Sequence, residues 1–294
     1  MSHKAGFVNL IGRPNAGKST LMNQLVGEQM SIITPKAQTT RHRIVGIVNE
    51  DDYQIVYSDT PGMLEPKYAL QANMMTFVKE ALKDADILIL IIDIADKNME
   101  FFGFDKALTE METPMLIALN KVDISDQTVV EAAVERLKQT FPNAEIMPVS
   151  ALHAFGIDHL KNRVHALLPE SPPYYEKDAL TDKPMRFFVS EIIRERILEN
   201  YQKEIPYSVQ VEIEAYVEEE NIVRISAVIY VARKSQKGII IGHQGQKLKT
   251  VGTEARLKME EFIGKKVFLE MHVKVDEDWR NKDRSLKAYG YKKS

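Results

Sequence analysis

The sequence has no cysteine among its 294 residues. Disulfide bonds, thiolate metal sites and thiol catalysis are therefore excluded, and the absence suits a reducing cytosol. Long apolar runs are also missing, because the run from Ile87 to Ile92 is far shorter than the roughly 20 residues that a membrane-spanning helix needs. A glycine-rich loop that begins at Gly12 leaves no space for a signal peptide before it. We therefore expect a cytoplasmic protein.

Basic residues are scarce in the first 232 positions and frequent after them. Residues 1–232 contain 23 lysines and arginines against 34 aspartates and glutamates, whereas residues 233–294 contain 16 against 8. This asymmetry indicates that the C-terminal part meets a polyanion. A solvated basic surface would produce the same composition, so charge alone does not decide.

Residues 1–168 alternate between strand and helix patterns. Five short apolar runs have the length and β-branched content of buried strands: "FVNLI", "QIVYS", "ILILIID", "MLIAL" and "EIMPVS". Helical-period stretches separate them, which predicts an α/β domain with a mostly parallel sheet. In such sheets the loops at the carboxyl ends of the strands carry the ligand.

Four prolines lie in residues 169–184 and predict a semi-rigid linker. Residues 185–294 follow the order α-β-β-α-α-β, which predicts a small α+β domain with a β-hairpin. Alternation in its first strand predicts one face made of Val209, Val211, Ile213, Ala215 and Val217.

The first strand leads directly into "GRPNAGKST", residues 12–20, which matches the pattern G-x-x-x-x-G-K-[ST]. Glycines let backbone N–H groups surround phosphate oxygens, and the next helix points its positive end at them. Lys18 would neutralise the β- and γ-phosphates, and the Ser19 hydroxyl would bind Mg²⁺. An ordinary βα turn is the alternative if this motif is taken alone.

Three further loops, each at a strand end, decide the interpretation. In "DTPG", Asp59 can hold the second shell of Mg²⁺ and the Gly62 N–H can sense the γ-phosphate. In "NKVD", the Asp123 carboxylate can accept the two donors on the guanine edge, which adenine lacks, while Asn120 and Lys121 brace the loop. "SAL" would supply a backbone N–H to the guanine oxygen. The predicted GTP site consists of Gly12, Asn15, Ala16, Gly17, Lys18, Ser19, Thr20, Asp59, Thr60, Pro61, Gly62, Met63, Asn120, Lys121, Val122, Asp123, Ser150, Ala151 and Leu152.

Hydrolysis requires further groups near the γ-phosphate. A threonine has to reach Mg²⁺, and Thr39 and Thr40 are both candidates, with Thr40 preferred. The residue after Gly62 is Met63, which has no group to orient water, so we expect slow intrinsic hydrolysis. We hypothesise that Asn15 helps to hold a monovalent cation, K⁺, beside the phosphates. The predicted metal ligands are Ser19, Thr40 and Asp59, and the predicted catalytic residues are Lys18, Asn15, Thr39, Thr40 and Gly62.

The second domain contains "GHQG", residues 242–245, between a short apolar helix and a basic helix. A lone G-x-x-G is weak evidence, but within this element order it is typical of a type II KH domain, which holds about four nucleotides of a single strand. We expect Ile239, Ile240 and Ile241 to wall an apolar groove for bases. The basic tail, residues 280–294, either clamps RNA or is a solvated end. The predicted RNA-binding residues are Lys237, Gly242, His243, Gln244, Gly245, Lys247 and Lys249.

Over nearly the whole chain these motifs resemble the Era family of bacterial GTPases, and "KAQTTRHRIVGI" and the closing "AYGY" add to the likeness. The resemblance implies a GTP/GDP switch with Mg²⁺, binding near the 3′ end of 16S ribosomal RNA and docking on the maturing 30S subunit. It also implies some peripheral membrane association, although the sequence shows no amphipathic anchor. We expect a monomer and no DNA binding.

Three other functions stay open at this point. The chain could be an RNA-binding module that keeps GTP as a structural ligand. It could be a metabolic P-loop kinase, although a kinase would not need "NKVD". It could also be a GTPase that guides another RNA-processing or modification step.

Overall fold

The computed structural model describes residues 3–96 and 99–292. Contacts divide the chain into two compact units, one with residues up to 66 together with 74–182, and one with 67–73 together with the residues from 183 onward. In the described ranges, no helix combines the length and apolar content that a membrane crossing requires.

The first unit is built on a six-stranded sheet in the order β2-β3-β1-β4-β5-β6. All neighbouring pairs are parallel except β2 and β3, which run antiparallel. The predicted α/β architecture with a mostly parallel sheet is therefore confirmed. The strands are β1 (Lys4–Gly12), β2 (Ile44–Asn49), β3 (Tyr53–Asp59), β4 (Ile87–Asp93), β5 (Met115–Asn120) and β6 (Glu145–Pro148).

Helices accompany this sheet in the order expected for β-α repeats. The central strand β4 is buried from Ile87 to Ile92, because strands covered on both faces need apolar side chains at every position. Gly17 precedes the first helix and Gly27 follows it, both in the left-handed region. The helices are α1 (Lys18–Val26), α2 (Ala69–Lys83), α3 (Asp105–Thr109), α4 (Gln127–Thr140) and α5 (Ile157–Leu167).

Strand β2 was not predicted, although four of its six residues are isoleucine or valine, because the polar residues before it suggest one continuous loop. It forms the edge of the sheet, and the proline-rich segment lies along it. The Ile47 N–H donates to the Leu180 carbonyl at 2.8 Å, and the Thr181 hydroxyl donates to the Val45 carbonyl at 2.6 Å. The proline-rich segment is thus attached to the first unit as far as Thr181.

The second unit packs helices on one mixed sheet in the order β7-β8-β9. Strands β7 and β8 are antiparallel, whereas β8 and β9 are parallel. A register shift between Ile213 and Ala215 breaks the predicted alternation, so Val217 is 51% exposed while Val209 and Val211 are buried. The elements are α6 (Met185–Asn200), β7 (Val209–Glu218), β8 (Ile222–Val231), α7 (Lys234–Ile241), α8 (Gln246–Ile263), β9 (Lys266–Val275) and α9 (Asp283–Ala288).

The segment after β9 is folded onto the second unit rather than extended into solvent. Trp279 is fully buried and its indole N–H donates to the Ser208 carbonyl at 2.9 Å. The Tyr291 hydroxyl bonds to the Gln210 amide oxygen at 2.7 Å. The aromatic residues of the basic tail therefore have a structural role, while most of its lysines and arginines stay exposed.

Candidate nucleotide site and nucleic-acid groove

The loop between β1 and α1 wraps around the place that a phosphate chain would occupy. Gly17 lies in the left-handed region at φ +101°, and a Cβ on it would lie 2.1 Å from the Asn120 amide nitrogen. Lys18 is 6% exposed, and its ammonium group donates to the carbonyls of Gly12 at 3.1 Å and Arg13 at 2.8 Å. Burial lowers the pKa of Lys18 to about 8, against the opposing effect of the Asp59 charge.

Two polar side chains from distant parts of the sequence meet at Ser19, the first-turn serine of α1. The Ser19 hydroxyl lies 2.7 Å from Asp59 Oδ2 and 3.0 Å from the Thr40 hydroxyl. The Thr40 hydroxyl donates to Asp59 Oδ2 at 3.2 Å. The Thr39 hydroxyl points elsewhere, donating to the Lys36 carbonyl at 2.6 Å. Of the two threonine candidates, Thr40 is the one that lies with Ser19 and Asp59.

This triad has the oxygen donors that suit Mg²⁺. The second carboxylate oxygen of Asp59, Oδ1, is buried and has no hydrogen-bond partner among the described residues. Burial raises the pKa of Asp59, and the Lys18 charge acts in the opposite direction. A hard cation held by the two hydroxyls, with its water ligands bound by Asp59, would keep this carboxylate ionised. Elsewhere in the described ranges, no group of three His, Cys, Asp or Glu side chains could hold a metal ion.

The "DTPG" turn packs directly against the phosphate loop. A Cβ on Gly62 would lie 2.7 Å from the Pro14 nitrogen, so only glycine fits there. The Thr60 hydroxyl donates to the Leu10 carbonyl at 2.7 Å and is therefore a structural anchor. Met63 is fully buried and its N–H donates to the Gly12 carbonyl at 3.0 Å. Its side chain is enclosed in the core.

The loops that are predicted to recognise guanine are joined to the phosphate loop through Asn120. The Asn120 amide donates to the Ala16 carbonyl at 2.8 Å, and its oxygen accepts the Ala151 N–H at 2.9 Å. Asp123 follows on the turn Val122–Ile124, and the Ser150 hydroxyl is the main cause of its lowered pKa. One asparagine therefore fixes three of the predicted loops relative to one another.

The remaining predicted residues of the GTP site differ in burial and in their contacts. Asn15 is at φ +63°, and its amide donates to the Pro35 carbonyl at 3.1 Å. Thr20 is half-buried and lines the phosphate pocket. Pro61 is buried within the "DTPG" turn. Leu152 is 72% exposed.

Two neighbours of the guanine loops were not found from the sequence. The Lys121 ammonium bonds to Asp93 Oδ2 at 2.6 Å, which fixes the lysine that is predicted to brace the base. The His153 ring lies 3.7 Å from Asp123 Oδ2. Asp93 is the last residue of β4 and pairs with Asn120 on β5. Its position at the end of a parallel strand is the feature of the sequence that would have predicted this contact.

The "GHQG" loop in the second unit connects α7 to α8. Gly242 and Gly245 have φ of +72° and +77°, and the turn between them exposes His243 and Gln244. A Cβ on Gly242 would meet the Lys247 side chain at 2.7 Å. The side chains of Lys237, Lys247 and Lys249 are exposed around this loop.

A groove runs along α8 beside this loop. Its apolar part consists of Leu248, Leu269 and Met271, and its basic part of Lys249 and Arg256. Of the three isoleucines expected to wall the groove, Ile240 is fully buried in the core, so the expectation is wrong for that residue. Ile241 is partly buried against the same core, and Ile239 is 43% exposed but does not line this groove. Bases fit such an apolar strip with cations beside it, because the strip contacts the ring and the cations contact phosphate.

Comparison with known families gives two matches along the chain. A family model described as a 50S ribosome-binding GTPase matches residues 7–121, and a KH domain model matches residues 204–280. The two matches fall on the first and the second sheet respectively.

Two relatives and two solved structures match nearly the whole chain. GTPase Era of Alkaliphilus metalliredigens is 43% identical over 99% of this chain and 100% of that protein, and GTPase Era of Staphylococcus haemolyticus is 42% identical over 98% and 97%. A structure of Era from Aquifex aeolicus bound to GDP·AlF4⁻ has a TM-score of 0.93 at 36% identity, covering 98% of this chain and 99% of that one. Era in complex with MgGDPNP and nucleotides 1506–1542 of 16S ribosomal RNA also has a TM-score of 0.93, at 35% identity and with the same coverage. This chain belongs to the Era family of GTPases.

Proposed function

We propose that this protein binds GTP with Mg²⁺, hydrolyses it to GDP and phosphate, and binds the 3′ region of 16S ribosomal RNA through its KH unit. The observation that carries the proposal is the meeting of Ser19, Thr40 and Asp59 beside the buried Lys18. Membership of the Era family supports the coupling of this site to an RNA-binding unit.

Phosphoryl transfer needs positioning and charge stabilisation more than covalent chemistry from the protein. The Lys18 ammonium now donates to two loop carbonyls, and it is placed to turn to the β- and γ-phosphate oxygens when nucleotide binds. The Gly62 N–H, held against Pro14, is suited to meet the γ-phosphate. Attack by water forms a bond to the γ-phosphorus while its bond to the β–γ bridging oxygen breaks, and the leaving GDP takes the electron pair.

Mg²⁺ would be held by the Ser19 and Thr40 hydroxyls, with Asp59 binding its water ligands, and it would neutralise charge on the β- and γ-phosphates. Thr40 rather than Thr39 has this role in the proposal, because the Thr39 hydroxyl is bonded to the Lys36 carbonyl. The segment that carries Thr40 would order with GTP and relax after hydrolysis.

Base selection is the sharpest test of the nucleotide assignment. Asp123→Asn replaces two acceptors by one donor and one acceptor, which matches xanthine because its C2 carries a carbonyl oxygen in place of the guanine amino group. We expect GDP affinity to fall about 100-fold or more, and xanthosine diphosphate to bind in its place. The measurement is equilibrium binding of both nucleotides, with ADP as a reference. Equal binding of GDP and ADP by the unaltered protein would refute guanine recognition.

RNA binding is proposed for the face around "GHQG" and the α8 groove. Three exposed lysines surround the loop, and the groove provides apolar and basic contacts. The proposed ligand is a single-stranded segment at the 3′ end of 16S ribosomal RNA, by analogy with the relative solved with nucleotides 1506–1542. Binding of that oligonucleotide and of a scrambled one of equal length, at several salt concentrations, tests both affinity and sequence preference.

A second candidate function follows from the burial of Met63. With no side chain to orient water at that position, GTP could serve as a ligand that fixes the fold without useful turnover. Single-turnover hydrolysis with and without 30S subunits separates the two functions. Stimulation by 30S subunits supports the switch, whereas an unchanged and negligible rate in both conditions supports the structural ligand.

We further propose that the cellular partner is the assembling 30S subunit and that the protein acts in the cytoplasm as a monomer, with a fraction held peripherally at the membrane. Family membership supports the partner. Crosslinking of RNA in cells identifies the bound site. A main crosslink outside 16S RNA would favour another RNA-processing step. Gradient sedimentation of lysates reports association with the 30S subunit and the oligomeric state, and membrane flotation reports the membrane-bound fraction.

A further inference from the structure

Arg43 connects three elements of the first unit at the end of the segment that carries Thr40. Its Nε donates to the Ser58 hydroxyl at 3.0 Å, one terminal nitrogen donates to Asn9 Oδ1 at 2.9 Å, and the other donates to Asp84 Oδ2 at 2.5 Å. The three acceptors lie on β3, on β1 and just after α2. A planar guanidinium can reach three acceptors in fixed directions, which a lysine cannot do.

The acceptors of Arg43 also form a network among themselves. Asn9 and Ser58 are fully buried, and the Ser58 hydroxyl donates to Asn9 Oδ1 at 2.6 Å. The Asn9 amide donates to Asp84 Oδ1 at 2.7 Å and to the Ala81 carbonyl at 2.6 Å. If Arg43 were absent, the Asn9 amide and the Ser58 hydroxyl would still donate hydrogen bonds to these acceptors. The network is therefore part of the core, and Arg43 joins the Thr40 segment to it by three side-chain hydrogen bonds, beside the backbone pairing of β2 with β3.

The position of Arg43 in the chain connects it to the metal triad. Thr40 lies three residues before Arg43, and Ser58 lies one residue before Asp59. Strand β2 starts directly after Arg43, with Ile44 opposite Asp59. Arg43 is bonded to Ser58 and to the core behind it, so together with the pairing of β2 and β3 it helps to hold the Thr40 end of the site at its distance from Asp59. That distance determines whether the Thr40 hydroxyl can reach the same cation as Ser19.

We infer that Arg43 is a positioning residue for the Mg²⁺-bound GTP state, fixing the Thr40 segment on Asn9, Ser58 and Asp84. The inference rests on the proposed role of Thr40. Because the segment is engaged with GTP and relaxed with GDP, loss of Arg43 weakens binding of the triphosphate state more than binding of the diphosphate.

The test compares Arg43→Gln, Arg43→Lys and Thr40→Ala in the full-length protein. The measured quantities are the affinities for GDP and for a non-hydrolysable GTP analogue, each titrated with Mg²⁺. For Arg43→Gln we expect analogue affinity to fall about tenfold, since charged hydrogen bonds are lost, while GDP affinity changes less than about twofold. Arg43→Lys should fall between Arg43→Gln and the unaltered protein. The Mg²⁺ concentration needed for analogue binding should rise in the same order.

Arg163→Gln is the matched control, because Arg163 forms a two-bond pair with Glu145 at 2.5 Å in the same unit, away from the phosphate loop. It should leave both affinities unchanged. If Thr40→Ala does not weaken analogue binding, the proposed metal assignment fails and the inference fails with it. Another outcome is that Thr40→Ala weakens analogue binding while Arg43→Gln lowers the affinities for GDP and the analogue equally, or lowers neither of them. In that case only the inference about Arg43 is overturned. If Arg43→Gln does not fold, the same criterion applies to Arg43→Lys.

Discussion

The effects of Gly17→Ala and Gly27→Ala on stability and on GDP binding can be compared directly. The two glycines have similar left-handed backbone conformations, but a Cβ would be crowded at Gly17 and free of contacts at Gly27. Gly17 and Gly27 flank α1 at φ +101° and +84°. A Cβ on Gly27 meets nothing within 4 Å, whereas a Cβ on Gly17 would lie 2.1 Å from the Asn120 amide nitrogen. An alanine in the left-handed region costs about 1–2 kcal/mol at either position.

The additional effect at Gly17 comes from the displacement of Asn120. That side chain is 2% exposed and holds the Ala16 carbonyl and the Ala151 N–H. Leaving buried groups without partners costs about 1–3 kcal/mol, so we expect Gly17→Ala to destabilise the protein by about 2–5 kcal/mol in total. Because the same asparagine aligns the guanine loops, GDP affinity should fall at least about tenfold.

The assays are urea unfolding followed by far-ultraviolet circular dichroism, and equilibrium binding of a fluorescent GDP analogue. Gly27→Ala should lower the urea midpoint modestly and leave GDP affinity unchanged. The reasoning fails if Gly17→Ala is no less stable than Gly27→Ala and binds GDP as well as the unaltered protein does.

The remaining predictions concern charge and ions. The pKa of Lys18 is about 8 in the free protein, and bound phosphate would raise it. Nucleotide affinity should therefore be highest below pH 8 and fall by up to about tenfold per pH unit above it. GDP binding measured from pH 7 to 10 tests this, and a flat profile would contradict it. Burial of the Lys18 cation disfavours the folded free protein below pH 8, and this effect should decrease between pH 8 and 10.5. Lys237→Gln and Lys249→Gln should each reduce the slope of log affinity for single-stranded RNA against log salt by about 0.7, and an unchanged slope would exclude phosphate contact. GTP hydrolysis should be faster in potassium chloride than in sodium chloride, and Asn15→Ala should abolish that difference. Equal rates of the unaltered protein in the two salts would refute the hypothesis of a bound monovalent cation.

Much of the nucleotide site was predictable because each loop follows a short apolar strand. Parallel strands align their carboxyl ends, so four separate motifs were expected at one edge of the sheet before any contact was known. The order of elements in the second unit was predictable for the same local reason, since hairpin alternation and helical periodicity depend on nearby residues.

Features that depend on distant partners were not predicted. Strand β2 has β3 on one edge and the proline-rich segment on the other, and the second of these pairings could not be seen from the sequence, although four of its six residues are isoleucine or valine. The role of Arg43 depends on acceptors 15 to 41 positions away in sequence. Val217 is exposed because one extra residue in β7 shifts the alternation, and no local pattern marks that residue.

The burial of Trp279 gives the molecule an intrinsic optical probe. It is the single tryptophan of the chain, it is enclosed between Ser208 and the ring of Tyr289, and it belongs to the second unit. Emission excited at the red edge of protein absorption therefore reports the environment of that unit alone, without any attached dye. A red shift of this emission would signal detachment of the C-terminal segment, and it could be recorded in real time as nucleotide or RNA is added.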